Sequence, residues 1–156
     1  MVFVSQEDLK DLPFLMSFRH ALLEGTSDNF FKKAYVCVFD HWLSRTEYSE
    51  YIGLANSDRI SFYNSLRSQL FVSISAECFL LNLDDCQYYR VTDTQSVKAS
   101  LAPHLNDSEG FLLVSERGFA LQFGYDYTDL LHFSNSSSLK FVQTHANEIG
   151  LHVLFN

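Results

Sequence analysis

GFLLVSERGFALQFG, residues 110–124, is the stretch on which the fold turns: two apolar runs flank a short polar segment that contains Gly118. Apolar runs of strand length separated by a glycine-bearing turn predict a β-hairpin. Downstream, Leu130-Leu-His-Phe follows a second turn-rich segment, Gly124 to Asp129, and extends the hairpin to a three-stranded meander. Ser134, Asn135 and Ser136–Ser138 then offer helix caps, and Leu139, Phe141, Val142, Ala146 and Ile149 fall at helical spacing before Gly150. A last strand is expected over 151–155. Upstream, the run from Cys78 to Leu83 is β-compatible, and the alternation Phe71-Val-Ser-Ile-Ser reads as the point where the sheet begins. Between these strands, Asp93 or Thr94 would cap a short helix reaching Leu101, with Pro103 just beyond it.

The N-terminal part reads as helical. Ser5 and Asp8 form a variant capping box, and Pro13 suits the first turn of a second helix carrying Phe14, Leu15, Phe18, Leu22 and Leu23 on one face, with Gly25 as its stop. Asp28 would cap a further helix through Phe31, Ala34, Tyr35, Val38, Phe39 and Trp42, whose spacing stays close to 3.6 residues. A shorter helical piece over 46–56 precedes another helix, capped by Ser57 or Asp58, with Ile60, Tyr63, Leu66, Leu70 and Phe71 inward. Helices followed by a meander, a helix and a strand predict an α+β domain with a mostly antiparallel sheet, formed by residues 1–156 as one unit.

Composition bounds the function. At 156 residues, 47% apolar and 19% charged, with 15 Phe, 8 Tyr and a single Trp, the chain has enough buriable surface for one core. Its 19 acids against 11 bases give a formal charge of −8, with residues 79–156 the more acidic half. Such a charge repels phosphate backbones and anionic headgroups, so neither nucleic acid nor a membrane is expected as partner. Three cysteines, Cys37, Cys78 and Cys86, are an odd number that suits a reducing compartment. With no basic leader and no long apolar run, the expected location is the cytoplasm.

Phosphate-binding loops, zincin helices, Cys-x-x-Cys pairs and nucleophile elbows have no signature here. Cys37 and His41, four apart, could share a ligand on a helix, but tetrahedral zinc needs four ligands and only two are placed. His132, His145 and His152 read as solvated or hydrogen-bonded groups, and Asp84-Asp85-Cys86 as a polar turn whose carboxylates disfavour a thiolate. No metal, cofactor or catalytic residue is expected. Two segments stand out, Asp84-Asp85 with Tyr88-Tyr89, and Tyr125-Asp126-Tyr127-Thr128-Asp129, because both join phenols to carboxylates. Tyrosine brings large contact area at low entropy cost, and the acids beside it can meet Lys or Arg of a basic protein. The alternative is that these tyrosines are half-buried turn residues covering the sheet edge. The candidate partner-binding residues are Asp84, Asp85, Tyr88, Tyr89, Glu116, Tyr125, Asp126, Tyr127 and Asp129.

In overall character, an acidic single domain with acid–tyrosine clusters, the chain resembles small bacterial immunity proteins that neutralise toxin domains. The resemblance implies a protein-binding inhibitor that occludes the active cleft of a basic toxin domain, a nuclease being one such target. It transfers no residue-level role. A small enzyme with a pocket built from scattered residues, and a regulatory or structural subunit, are the alternative expectations.

Overall fold

A computed structural model describes residues 1–93, 95, 110–124 and 126–156. Its centre is an eight-stranded sheet with strands β1 (Val2–Phe3), β2 (Lys32–Cys37), β3 (Phe79–Asn82), β4 (Gln87–Arg90), β5 (Phe111–Ser115), β6 (Phe119–Gln122), β7 (Thr128–Phe133) and β8 (His152–Leu154). They lie in the order β1-β4-β3-β5-β6-β7-β2-β8. Every pairing described is antiparallel. The helices are α1 (Pro13–Leu23), the one-turn α2 (Ser27–Phe30) and α3 (Arg45–Tyr48), α4 (Ser57–Ser75) and α5 (Ser136–Ile149). The class is α+β, as expected.

Strand alternation sorts the core into two layers. On one face Ala34, Val36, Leu80, Leu113, Phe119, Leu121, Leu131 and Phe133 meet Leu70, Phe71 and Ile74 of α4 and Val142 and Ala146 of α5. On the other, Phe79, Leu81, Tyr88, Leu112, Val114 and Ala120 meet Leu15, Phe18 and Ala21 of α1. The sheet is therefore covered by helices on both sides, but α1 covers only part of its face. The corresponding residues of β2 and β7, Tyr35, Cys37, Thr128 and Leu130, lie outside the cover of α1 and line a cleft.

The predicted meander is present as β5–β6–β7. Gly118 sits in its first turn at φ +91°, where an L side chain is strained, and a Cβ there would also strike the hydroxyls of Ser134 and Ser138. The crowding has a cause. Ser134 donates its N–H and hydroxyl to Gly118 O, Ser138 Oγ donates to Arg117 O, and Asn135 Oδ1 accepts from Ser138 N at 2.9 Å to cap α5. The hairpin turn and the N-terminus of α5 are thus one hydrogen-bonded unit. Gly150 ends α5 in the left-handed region, as its position predicts.

Three expectations are corrected. Residues 28–42 are not a helix: after the single turn α2, 32–37 form β2 between β7 and β8. The apolar residues there satisfy both periods, and six residue pairs with β7 resolve the ambiguity in favour of the strand, with Ala34 and Val36 on one face and Tyr35 and Cys37 on the other. Residues 71–75 do not open the sheet but complete α4, because Arg67, Leu70, Phe71 and Ile74 continue one helical face into the core. The strands β1 and β4 were not anticipated; β4 places Tyr88 inward by simple alternation after the polar turn at 83–86. The helix expected between Asp93 and Leu101 lies outside the described residues.

Pro13 opens α1 as expected, yet Leu12 offers no side-chain cap. Glu116, from the β5–β6 turn, supplies it: its carboxylate accepts from Phe14 N at 3.3 Å and Leu15 N at 2.8 Å. A carboxylate on free N–H groups at a helix start is stabilising by charge and hydrogen bond. Glu116→Ala is expected to lower the unfolding free energy by about 1–2 kcal/mol in urea titration; no measurable loss would mean that water replaces the cap.

Candidate functional site

The cleft, of about 380 Å³, opens at the end of the sheet where β2 leaves and β7 begins. Tyr35, Cys37, Thr128 and Leu130 form its floor; Phe39, Trp42, Leu43, Tyr48 and Ile52 form one wall and Gly124 and Asp126 the other. Local chemistry builds the first wall. Ser44 caps α3 through Glu47 N, while Glu47 Oε2 accepts from Ser44 N at 2.9 Å, a complete capping box that starts a new helical turn seven residues after β2 ends. Through its other oxygen, Glu47 holds His41 Nε2 at 3.1 Å, and Asp40 holds Nδ1 at 2.6 Å. The Ser44 bonds, followed by His41, hold the Glu47 carboxyl at about 2, and Asp40, followed by Glu47, raises His41 above the usual imidazole value.

Trp42 stands edge-on to Tyr35, with ring centroids 5.1 Å apart and planes at 74°, and its indole N–H donates to Phe155 O at 3.1 Å. The two rings form a corner. Across the cleft, Tyr48 OH donates to Asp126 Oδ1 at 2.7 Å, and that bond to the carboxylate raises the Tyr48 phenol. Trp42 and Tyr48 are 45% and 41% exposed, so the pocket presents aromatic surface to solvent.

The second wall is held from beneath. Arg67 and Asp129 are both interior, and both carboxylate oxygens of Asp129 accept from Arg67 Nε at 3.1 Å while Nη2 bonds Oδ1. Arg67 also donates to Gly124 O at 3.0 Å, and Gly124 N donates to Asp129 at 3.1 Å. Its guanidinium lies 5.2 Å from the Phe123 ring centre and 5.8 Å from that of Tyr127. Burial pushes the Asp129 carboxyl upward, opposed by the Arg67 charge and hydrogen bonds. Above this pair, Asp126 and Tyr127 both adopt positive φ, +56° and +59°, a strained conformation for two consecutive non-glycine residues. The buried pair fixes the strained turn, and the turn aims Asp126 at Tyr48.

The residues singled out from sequence divide accordingly. Asp126 lines the cleft, whereas the half-buried Tyr127 packs on Tyr63 and Arg67 of α4 and is not part of the lining. Asp84 and Asp85 are exposed in the β3–β4 turn, where Asp85 accepts from Gln87 N at 3.0 Å and from Tyr89 OH at 3.1 Å. Both groups lie at the same end of the sheet, since Leu81, Leu112, Gln122 and Leu130 are joined through the registers of β3, β5, β6 and β7. Four strand spacings, about 19 Å, separate β4 from β7.

Two of the candidates are interior and a third is engaged within the fold. Tyr88 is fully buried, its hydroxyl donating to Leu15 O at 2.8 Å; Asp129 is the buried partner of Arg67; and Glu116 is committed to α1. Alternation places Tyr88 in the α1 layer and half-buried Tyr89 against the α4–α5 layer on the opposite face, so an adjacent pair cannot act together. Tyr125 lies outside the described residues. Cys37 and His41 do not share a helix: Cys37 Sγ lies 3.3 Å from Thr128 Oγ1, whereas both ring nitrogens of His41 face carboxylates. His132 is buried on the α1 face against Phe18, while His145 sits on α5 on the opposite face, so the histidines do not converge. Among the described residues, no group of three or more His, Cys, Asp or Glu is placed to hold a metal ion, and no helix is long and apolar enough to cross a membrane.

The aromatic wall was missed in sequence because Tyr35, Phe39 and Trp42 fitted a helical stripe. The capping box Ser44-Arg-Thr-Glu47 was the available signal, since it marks a helix start and so an end to whatever precedes it.

These features define a class, an antiparallel α+β domain with helices on both faces and an aromatic, acid-rimmed cleft at one end of its sheet. Compared with known proteins, the chain matches no family model, no curated protein and no solved structure.

Proposed function

We propose that this domain is a protein-binding inhibitor that docks a basic partner, in the manner of an immunity protein occluding the cleft of a toxin domain. The observation that carries the reading is that exposed Asp84, Asp85 and Asp126 all lie along one end of the sheet, with the exposed rings of Trp42 and Tyr48 on the Asp126 side of it. Acids in this setting steer a cationic surface toward the domain, and aromatic side chains supply the desolvated contact once it arrives. The net charge of −8 acts in the same sense at longer range.

The test begins with capture from the native host, in which a basic protein domain is expected to co-purify in stoichiometric amount and to lose its activity in the complex. With the purified pair, the association rate should fall roughly tenfold as ionic strength rises from about 0.01 to about 0.15 M. A partner-free chain in the host, or an association rate indifferent to salt, would overturn the reading or its electrostatic part respectively.

A further inference from the structure

We propose that the cleft between the end of β2 and the start of β7, lined by Gly124 and Asp126, is a cage for a cationic side chain, the guanidinium or ammonium of an arginine or lysine that the partner inserts. The inference rests on the reading of the domain as a binder of a basic protein, and it names the group recognised. Three independent features of the cleft converge on a cation.

The first is the ring geometry. Tyr35 and Trp42 meet nearly at right angles, 74° with centroids 5.1 Å apart, so two faces of a corner are aromatic. Phe39 and Tyr48 extend that lining. Aromatic faces carry negative quadrupole charge, and corners of two or more rings are a recurrent way of holding an alkylammonium or guanidinium group. The protein's own Arg67 is held in this way, against Phe123 and Tyr127.

The second is charge. Asp126 lines the cleft opposite the rings, and His41, which also lines it, is held by Asp40 and Glu47, neither of which is part of the lining. Even with His41 protonated, these three carboxylates outnumber its single positive charge. The rim therefore favours a cation, and a carboxylate or phosphate entering the cleft would meet repulsion.

The third is preorganisation. Tyr48 OH fixes one oxygen of Asp126, and the turn that presents Asp126 is strained at two successive residues and riveted below by Arg67 and Asp129. Strain of this kind persists only where surrounding structure over-determines it, and it collects at ligand clamps. A volume of about 380 Å³ accommodates one long side chain rather than a folded segment.

Trp42 is the single tryptophan of the chain and lies in the cage, so its fluorescence reports occupancy directly. The intact protein is titrated with N-acetyl-arginine amide, N-acetyl-lysine amide, tetramethylammonium and, as the uncharged shape control, N-acetyl-citrulline amide. At least one of the two cationic amides should give a saturable change with Kd in the range of about 1–10 mM, as expected of one desolvated cation–π contact plus a carboxylate. Citrulline amide should give none. Asp126→Asn keeps an acceptor for Tyr48 and should weaken binding about fivefold or more, with the far-UV spectrum unchanged. Tyr35→Leu should weaken it by a similar factor through loss of one ring face. Equal responses to arginine and citrulline amides would overturn the cage, as would no response at all. Tighter binding of tetramethylammonium than of both amides would overturn its assignment to a partner side chain in favour of a small quaternary amine. Failure of the cage is separable from failure of the inhibitor reading: a basic partner whose affinity is untouched by Tyr35→Leu and Asp126→Asn removes the cage and leaves the inhibitor, whereas amide binding without any partner does the reverse.

Discussion

Replacing Arg67 by methionine is expected to destabilise the domain by about 3–5 kcal/mol, a large part of the total for a chain of this size, because it leaves the Asp129 carboxylate buried without its counter-charge. The structure explains why the loss should be so large. Arg67 is 1% and Asp129 0% exposed, and water cannot take over the three donors that Arg67 and Gly124 present to the carboxylate without opening the interface between α4 and β7. The double substitution Arg67→Met with Asp129→Leu removes both charges and should recover much of the stability, since a buried ion pair is often no better than an apolar pair of similar volume. Urea denaturation of the two variants checks the claim, and a single-variant loss below about 1 kcal/mol would show that the pair is solvated in practice. The double variant should regain stability without regaining the aim of Asp126, because Gly124 O loses the donor that pins the turn. Stability and cation binding would then part company in one protein.

The second large effect is in pH. Burial holds the His132 imidazole down to about 4 from its usual 6.5, with the charge of Lys33 adding to the depression and Asp28 opposing it. Its Nδ1 has no hydrogen-bond partner in the interior, and its ring abuts Phe18 at 5.6 Å. Below pH 6.5 the unfolded chain binds a proton there that the folded chain refuses, so the stability present at neutral pH falls as pH drops through the window from about 6.5 to about 4. The loss should reach about 3 kcal/mol by the lower limit. His132→Leu should remove this part of the pH dependence, leaving a flatter curve of unfolding free energy across the same window. An unchanged slope in that variant would place the sensitivity in other groups. His41 works in the opposite sense, since a raised imidazole value stabilises below the unfolded value and fades as pH rises through the folded one, but it is exposed and its effect is confined to the rim.

Legibility in the sequence followed the range of the interactions. The β5–β6–β7 meander and α5 are set by near neighbours, with Gly118 and Gly150 as punctuation and Asn135 as a cap, and these could be read directly. β2 could not, because Phe31, Ala34, Tyr35 and Val38 fit a helical and a pleated pattern equally well until β7 and β8 are placed on either side. The same misreading hid the cleft, whose floor is Tyr35 and Cys37. The site depends on partners 78 residues apart in Tyr48–Asp126 and 62 apart in Arg67–Asp129, which no local pattern reveals. The exposed acids of the acid–tyrosine segments lie at one end of the sheet, yet a one-residue phase separates Tyr88 in the α1 layer from Tyr89 on the opposite face.

The flanks of the sheet are brief: β1 offers two residues of ladder and β8 three. A visiting chain that tried to lengthen the sheet would find almost no row of backbone groups to match, a limitation by which natural sheets avoid indiscriminate growth. Recognition of the proposed partner would then be written in side chains. On the function proposed above, a partner held by individual rings and carboxylates would be exchanged for a related one by a handful of substitutions at the rim, with the scaffold of strands left as it is, so that specificity would drift faster than architecture.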